Sequence, residues 1–501
     1  MSYRALLYIF VLLISLFRVL YIIYSPFDLS PDEAHYWEWS RRLDLSYYSK
    51  GPGVAYIIAL FTTLLGDTEI GVRFGAVLFA ALTTVALFFF TKELTGSQRQ
   101  ALASAVILNI VPLFFAGSIL MTTDILLVFF WTLSLYGLKK LLVDGKRRWW
   151  YLIGLATGIG FLCKYTMILF YGCLFLLLLA TGRLKEEARR KEPYIALLIT
   201  FTLTLPVVIW NIRNDFVSFR HVAGLTHVER GFTISLEHLL EFLGSQFAIL
   251  TPLLFTGILY TFWVCAKRAF KGRDIRASII FWMSFPILLL FILKSLQAKV
   301  QANWAVLAYI GGLTGLVWVF AERMGRRVWQ AVAALSVLVA MALSLLLFFP
   351  FMLDDRMEAK LMRAAIYKRT YGWNELGRKI SELKEELEKE GPLFIVSDRY
   401  QIASELAFYV KGHPRTYNLY TGGRRLNQYD LWEGFYTLKG YNAIHVRSGD
   451  VDMEPAFRKA FQSCRRELFT VQWKSTPVKR FSIFICRGFK GFTPPPVGAR
   501  Y

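Results

Sequence analysis

The sequence is poor in cysteine, short of acids relative to its bases, and without a nucleotide-binding fingerprint. Five cysteines stand among 501 residues, with no C-x-x-C and no zinc-ligand spacing. That excludes a disulfide scaffold and a zinc finger. Cys163, Cys173 and Cys265 lie in or beside apolar runs and read as core thiols. Cys464 and Cys486 lie in the polar C-terminal part, where they could pair if that part is outside the cytoplasm. Neither a G-x-G-x-x-G nor a Walker pattern occurs, so no nucleotide sugar has an obvious cradle. There is no internal repeat of the kind transporters show. Acids number 36 against 58 Lys and Arg, a net charge of +22. In a soluble chain that excess would suggest nucleic acid. Here many of the bases fall in short loops between apolar runs, where they orient a membrane protein, so nucleic acid is not expected as a partner.

Apolar residues, by contrast, make up 55% of the chain, 16% being aromatic. The mean hydropathy is +0.42. Apolar runs of about twenty residues recur, the length needed to cross a bilayer. Spans are predicted near 4–24, 71–91, 101–117, 122–138, 150–163, 165–181, 194–210, 247–266, 278–294, 304–320 and 329–351. The first is too long for a signal-peptide core and is read as a retained span. Loops 92–100, 139–149, 182–193, 267–277 and 321–328 are basic. With the N-terminus inside, alternation puts all five in the cytoplasm. Residues 25–70, 118–121, 211–238, 295–303 and everything after 352 then lie outside. Residues 53–66 are apolar, but a helix there would be about 21 Å long, too short for the hydrocarbon core. They read as a re-entrant or interfacial helix. The fold class expected is a polytopic α-helical membrane protein of about eleven or more spans. Residues 1–352 form the membrane domain, and 353–501 a small outer α/β domain. In the latter, WNELGRKISELKEELEKEG reads as an amphipathic helix ending at Gly391, SELAFYV as a second helix, and PLFIVSD, NAIHVRSG and FSIFICRGF as strands.

Polar residues sorted by side gather outside. Asp32, Glu33, His35 and Lys50 fall in the first outer segment. Asp124 lies at the outer end of a span, and Lys164 in a tight outer turn. Arg213, Asn214 and Asp215 follow the seventh span, and Lys294, Lys299, Gln301 and Asn303 flank spans nine and ten. Ionisable groups at this depth either snorkel or line a polar cavity. At least four outer connections contribute, as a cavity between helices requires. Adjacent Asp32 and Glu33 cannot face one point on a helix, so one can act as base or metal ligand while the other holds the loop. Asp32, beside Pro31 and ahead of the helical run AHYWEWSRR, also reads as a helix N-cap.

The segment SPDEAHYWEWSRRLDLSYYSKGPG resembles the first outer loop of the protein O-mannosyltransferase and aminoarabinose (lipid A) transferase superfamily, the GT-C fold, in its bacterial form. The resemblance rests on Asp32-Glu33, the aromatic helix Tyr36-Trp37-Glu38-Trp39 and Lys50-Gly51-Pro52, with Gly in place of the usual middle Pro. It extends to MTTD with Asp124, GFLCKYT with Lys164, LKSLQAKVQANWAV with Lys299, Gln301 and Asn303, and RRLNQYDLW with Arg425, Asn427, Gln428 and Tyr429. It implies an inverting glycosyltransferase of the bacterial inner membrane. The donor is a polyprenyl-phosphate sugar, and the acceptor an envelope molecule, lipid A or lipopolysaccharide ahead of protein Ser/Thr. Asp32, Glu33 and Asp124 are the implied acids, and Lys50, Lys164 and Arg213 the candidates for the donor phosphate. His35, Tyr48, Tyr165, Lys299, Gln301 and Asn303 are candidate substrate contacts. A divalent metal, if one binds, would use Asp32, Glu33 and His35. A lipid or sugar transporter is the competing class.

Overall fold

The computed structural model describes residues 1–225 and 234–495. Among them eight helices are long and apolar enough to cross a membrane. They are Tyr3–Tyr24 (α1), Glu69–Thr95, Thr123–Leu142, Lys191–Arg213, Pro252–Gly272, Ile275–Ser295, Ala302–Ala321 and Arg327–Phe348. Gly53–Leu65, Trp149–Cys163 and Tyr165–Ala180 are shorter apolar helices. The chain is a polytopic helical membrane protein with a small C-terminal sheet domain.

Three expected spans are interrupted, each at a proline. The run 101–117 is two helices, Gln98–Ile110 and Pro112–Gly117, parted at extended Val111. Proline disfavours helical geometry in the residue before it. The run 247–266 breaks at Thr251 (φ 75°), so the spanning helix starts at Pro252. In 278–294 the helix is interrupted at Met283 and Ser284, ahead of Pro286.

The C-terminal sheet has the order β2-β1-β3-β5-β4, formed by β1 Leu393–Ser397, β2 Thr416–Asn418, β3 Asn442–Ser448, β4 Phe461–Trp473 and β5 Thr476–Phe489. β1 pairs in parallel with β2 and β3, and the β3-β5-β4 part is antiparallel. Alternate side chains serve opposite faces. Ile395, Ile444 and Ile483 pack under helices Trp373–Leu387 and Tyr400–Tyr409, while Phe394, Val396 and Phe484 pack with Phe435 and Phe457. β2 and β4 escaped the sequence reading. β2 has three residues, and β4 is an edge strand with only two buried side chains, so neither carries an apolar period. Cys464 and Cys486 face each other across β4 and β5 and form a disulfide.

Between the two parts lies helix α2 (Pro31–Ser40), with the short α3 (Gly53–Leu65) and the long α4 (Glu69–Thr95) after it. Ser30 and Glu33 form a capping box at the start of α2, and Pro31 takes the first helical position. Glu33 is wholly buried. Its Oε1 accepts from Arg73 Nε (2.9 Å) and Met121 N (2.9 Å); its Oε2 accepts from Ser30 N (2.9 Å) and Arg73 (3.1 Å). Arg73 also donates to the Phe27 and Asp28 carbonyls. One carboxylate thus ties together α2, α4 and the loop that starts helix Thr123–Leu142. Removing one partner of a buried pair strands the other. Arg73→Met should cost about 3–5 kcal/mol, seen as a lower melting temperature of the detergent-purified protein.

Candidate active site

Two acids and two lysines, each at or near a helix end, converge: Asp32, Asp124, Lys50 and Lys164. Asp124 is the second residue of helix Thr123–Leu142, and Lys164 caps the C-terminal end of helix Trp149–Cys163. Each sits where the helix dipole favours its charge. Lys164 Nζ donates to Asp124 Oδ1 at 2.5 Å, and Asn303 Nδ2 donates to Asp124 Oδ2 at 2.7 Å. Lys50 makes no hydrogen bond or ion pair through its ammonium among the described residues, yet it feels Lys164, Asp124 and Asp32. Burial and, secondarily, Lys164 push its pKa down to about 8, against the pull of both acids. Burial, and after it the charges of Asp32, Tyr400 and Asp124, raise the Tyr36 phenol well above the usual range.

Local sequence explains how Lys50 gets there. A Cβ on Gly51 would lie 2.1 Å from the Leu162 carbonyl oxygen, and one on Gly53 would lie 2.7 Å from Cys163 Sγ. The loop therefore lies against the end of the helix that delivers Lys164. Gly51, where the resembled family has proline, permits that approach. Tyr165 bonds Ser46 Oγ (3.0 Å), and Ser46 in turn donates to the Lys50 carbonyl (3.3 Å). Tyr165 accordingly shapes the lysine loop.

Asp32 is the second residue of α2, so the cap is Ser30 and the N-cap reading of Asp32 does not hold. The acid is about half exposed and pairs with Arg369 Nη2 at 2.9 Å. It lies in the wall shared by two cavities. One, about 990 Å³, is also lined by Gln301, Arg363, Lys368, Arg369, Lys479 and Arg480. The other, about 560 Å³, is also lined by Tyr48, Ser49, His221, Arg425 and Asn427. Arg399, Tyr400 and Gln401 belong to both walls.

Several expected residues serve elsewhere. Glu33, expected as a supporting acid, is consumed by its buried pair with Arg73 and takes the loop-holding half of the Asp-Glu pair. His35 is buried, where its ring pKa falls to about 3. Its Nε2 accepts from Trp39 (3.2 Å), so its Nδ1–H faces Ser404 Oγ (3.2 Å), whose own proton goes to the Tyr400 carbonyl. Asp32, Glu33 and His35 thus point to three different partners. No group of three or more His, Cys, Asp or Glu able to hold a metal occurs among the described residues. Arg213 is exposed at the end of helix Lys191–Arg213 and lines neither cavity, because that helix carries it past the site. Lys299 turns away to pair with Glu241. Tyr48 lines the smaller cavity and donates its backbone N–H to Gln428 Oε1 (2.7 Å). The RRLNQYDLW stretch docks the C-terminal domain: Tyr429 donates to the buried Glu38, and Asn427 bonds Asn418 (2.9 Å). Sequence reading missed Arg369, Arg399 and Tyr400. They lie in the C-terminal domain or the connection to it, with no local pattern to mark them.

The dolichyl-phosphate-mannose-protein mannosyltransferase family matches residues 49–210, which carry Lys50, Asp124 and Lys164. The lipid A galacturonosyltransferase RgtD of Rhizobium johnstonii is 29% identical over 79% of this chain and 80% of its own. An undecaprenyl phosphate-α-4-amino-4-deoxy-L-arabinose arabinosyl transferase of Pectobacterium atrosepticum is 24% identical over 63% of this chain and 60% of its own. The crystal structure of ArnT from Cupriavidus metallidurans superposes with a TM-score of 0.65 at 16% identity, over 96% of this chain and 98% of that one. The chain is a GT-C glycosyltransferase of this superfamily. It is a multi-pass inner-membrane protein.

For this glycosyltransferase the close approach at Gly51 is a constraint on activity as well as on packing. Gly51→Ala should cost about 1–3 kcal/mol and lower sugar transfer further than that loss of folded protein accounts for. A melting curve and a transfer assay on the same preparation check both.

Proposed function

We propose that the chain transfers a glycosyl group from an undecaprenyl-phosphate donor to lipid A on the periplasmic face of the inner membrane. Residues 1–352 act as the membrane catalytic domain and 353–501 as the outer domain. The observation that carries this reading is the position of Asp32, in the one wall common to two cavities. The smaller adjoins the lysine loop. The larger is lined by six basic side chains, among them Arg363, Lys368 and Arg480, and suits an anionic glycolipid. Basic loops on the opposite side of the spans and the Cys464–Cys486 disulfide support the periplasmic orientation. The relatives' names supply the donor and acceptor classes.

The chemistry follows from those positions. An acceptor oxygen attacks the anomeric carbon from the Asp32 side, and the bond from that carbon to the donor phosphate oxygen breaks. The electron pair leaves on the prenyl phosphate, where Lys50 stabilises the developing charge. Asp32, held by Arg369, orients the acceptor and takes its proton. With a phosphate as acceptor, Asp32 acts through position alone. Lys164 and Asn303 hold Asp124 beside the reacting centre, where its carboxylate faces the oxocarbenium-like sugar. In-line displacement inverts the anomeric centre.

Mass spectrometry of lipid A tests the reading. A strain lacking the gene should lose a sugar-sized mass, and wild type should restore it. Asp32→Asn should restore roughly a hundredth as much or less. Unchanged lipid A in every strain rules out this acceptor and turns attention to glycoproteins and other surface glycans.

The lysine gives a second test. Lys50 is charged below about pH 8 and neutral above it. The turnover rate in proteoliposomes should therefore fall as pH rises through about 8. Lys50→Arg, whose guanidinium keeps its charge, should move that alkaline limb upward. A wild-type profile flat to pH 10 removes Lys50 from the phosphate site.

A further inference from the structure

The C-terminal domain is seated on buried acids that the transfer chemistry does not use. Helix Tyr400–Tyr409 packs against α2, with Phe408 edge-on to Trp37. Glu405, on that helix, is 1% exposed, and neither of its carboxyl oxygens has a hydrogen-bond partner among the described residues. It faces Lys479 of β5, Asp28 in the connection before α2, Glu33 of α2 and Glu69 at the start of α4. Asp28 is buried, and its Oδ2 accepts from Trp373 N (2.6 Å), so an acid of the membrane part caps helix Trp373–Leu387 of the other domain. Lys479 is buried over the Trp373 ring at 3.6 Å, and its Nζ has no hydrogen-bond partner among the described residues. Further along α2, buried Glu38 accepts from Tyr429, with Arg41, Arg42 and Arg415 as the charges around it. The first patch cannot stay fully ionised. Asp28, Glu33, Glu69 and Glu405 would set four anions against Arg73 and Lys479, and Arg73 is already committed to Glu33. A buried carboxylate without donors is the costliest to keep charged, so Glu405 holds a proton. Burial likewise raises Asp28 to about 7 and Glu38 to about 8. Lifting the domain would return all three to water, where carboxyls ionise near about 4.

We propose that the C-terminal domain is a proton-linked lid, held down while Glu405, Asp28 and Glu38 are protonated and loosened as they ionise. Tyr400 and Gln401, at the head of the docking helix, wall both cavities, so raising that helix uncovers the ground around Asp32. Such opening is a route for substrate entry and product release. A proton bound only in the docked state weakens docking by about tenfold for each unit that pH rises. The loss runs from the ordinary carboxylate range up to about 7 for Asp28 and about 8 for Glu38. Two groups act in the opposite sense, each outside one window. Buried His35, held at about 3, would gain a proton on lifting below about pH 6.5. Lys479, lowered to about 8, would do so above that value. Between these limits the acids set the sign.

Hydroxyl-radical footprinting of the detergent-purified full-length protein, between about pH 6.5 and about 8, tests this. Trp37 and Phe408, buried against each other at the joint, report lifting, and Trp131, buried among the spans, is the control. Footprinting reads the docking itself, whatever sugar or acceptor the enzyme uses. In wild type the oxidation rate of the joint pair should rise about tenfold or more per pH unit, while that of Trp131 stays level. Glu405→Gln should reduce that rise by about tenfold per unit. The triple variant Asp28→Asn, Glu38→Gln, Glu405→Gln is neutral at these positions at every pH and should keep the pair protected throughout. A flat wild-type profile overturns the proposal. So does a rise that survives in the triple variant, or a triple variant whose joint is already open at the acid end of the range with Trp131 still protected. Should the triple variant fail to fold, Glu405→Gln alone decides, and an undiminished rise there overturns the proposal.

Discussion

A single buried ion pair, Glu33 with Arg73, sets the geometry on which the candidate active site depends. A carboxylate removed from water is tolerable only when nearly every lone pair is used. Glu33 meets that condition by drawing donors from three separate segments: its own helix cap at Ser30, Arg73 on α4, and the Met121 amide. The neighbouring residue is Asp32, and three residues beyond Met121 lies Asp124. Satisfying one acid therefore fixes the positions of two others. In the proposed mechanism the two partly exposed acids act, and the buried one holds them in place.

The same arrangement explains why α2 is so aromatic. Its opposite face meets the C-terminal domain, and a wedge between two bodies must be apolar almost all round. Trp37 packs edge-on against Phe408 (4.9 Å), and Trp39 stacks on Tyr47 (4.5 Å). The polar atoms left inside are paired: Glu38 with Tyr429, and His35 with Trp39 and Ser404. Burial raises Glu38 to about 8 and holds His35 neutral, so the interface is joined by hydrogen bonds between mostly uncharged groups. That limits the desolvation cost of seating a soluble domain on a membrane domain. The domain completes the site, because Arg399, Tyr400 and Arg425 close cavities that the membrane helices leave open.

How much of this was legible follows from where each residue sits. Asp32, Lys50, Asp124, Lys164 and Asn303 lie next to recognisable helix ends and in short motifs, and they come together in space. Glu33 shared a motif with Asp32, but its role depended on Arg73, forty residues away and hidden in an apolar run. Arg213 and Lys299 lay at the right depth; depth does not fix azimuth around the bundle, and both face away. The helical spans were readable from apolar length, but their interruptions at Pro112, Pro252 and Pro286 were passed over. β1, β3 and β5 carry apolar runs, whereas the edge strand β4 pairs through its backbone and leaves no such trace.

The net charge of +22 needs two explanations, and they do not conflict. Bases in the short loops at 92–100, 139–149 and 182–193 bear on topology, since orientation is governed by charge close to span ends in short loops. A long domain that follows the spans is largely exempt from that rule. Residues after 352 can therefore hold Arg363, Lys368, Arg369, Arg399, Lys479 and Arg480 around one cavity without opposing the orientation that the loops impose. Only such a domain could supply a strongly basic wall beside Asp32. Placed in the connections between spans, the same bases would weaken the charge difference that orients the chain. Dense positive charge beside the candidate site thus falls to a separate domain, and the wedge at α2 is what brings that charge there.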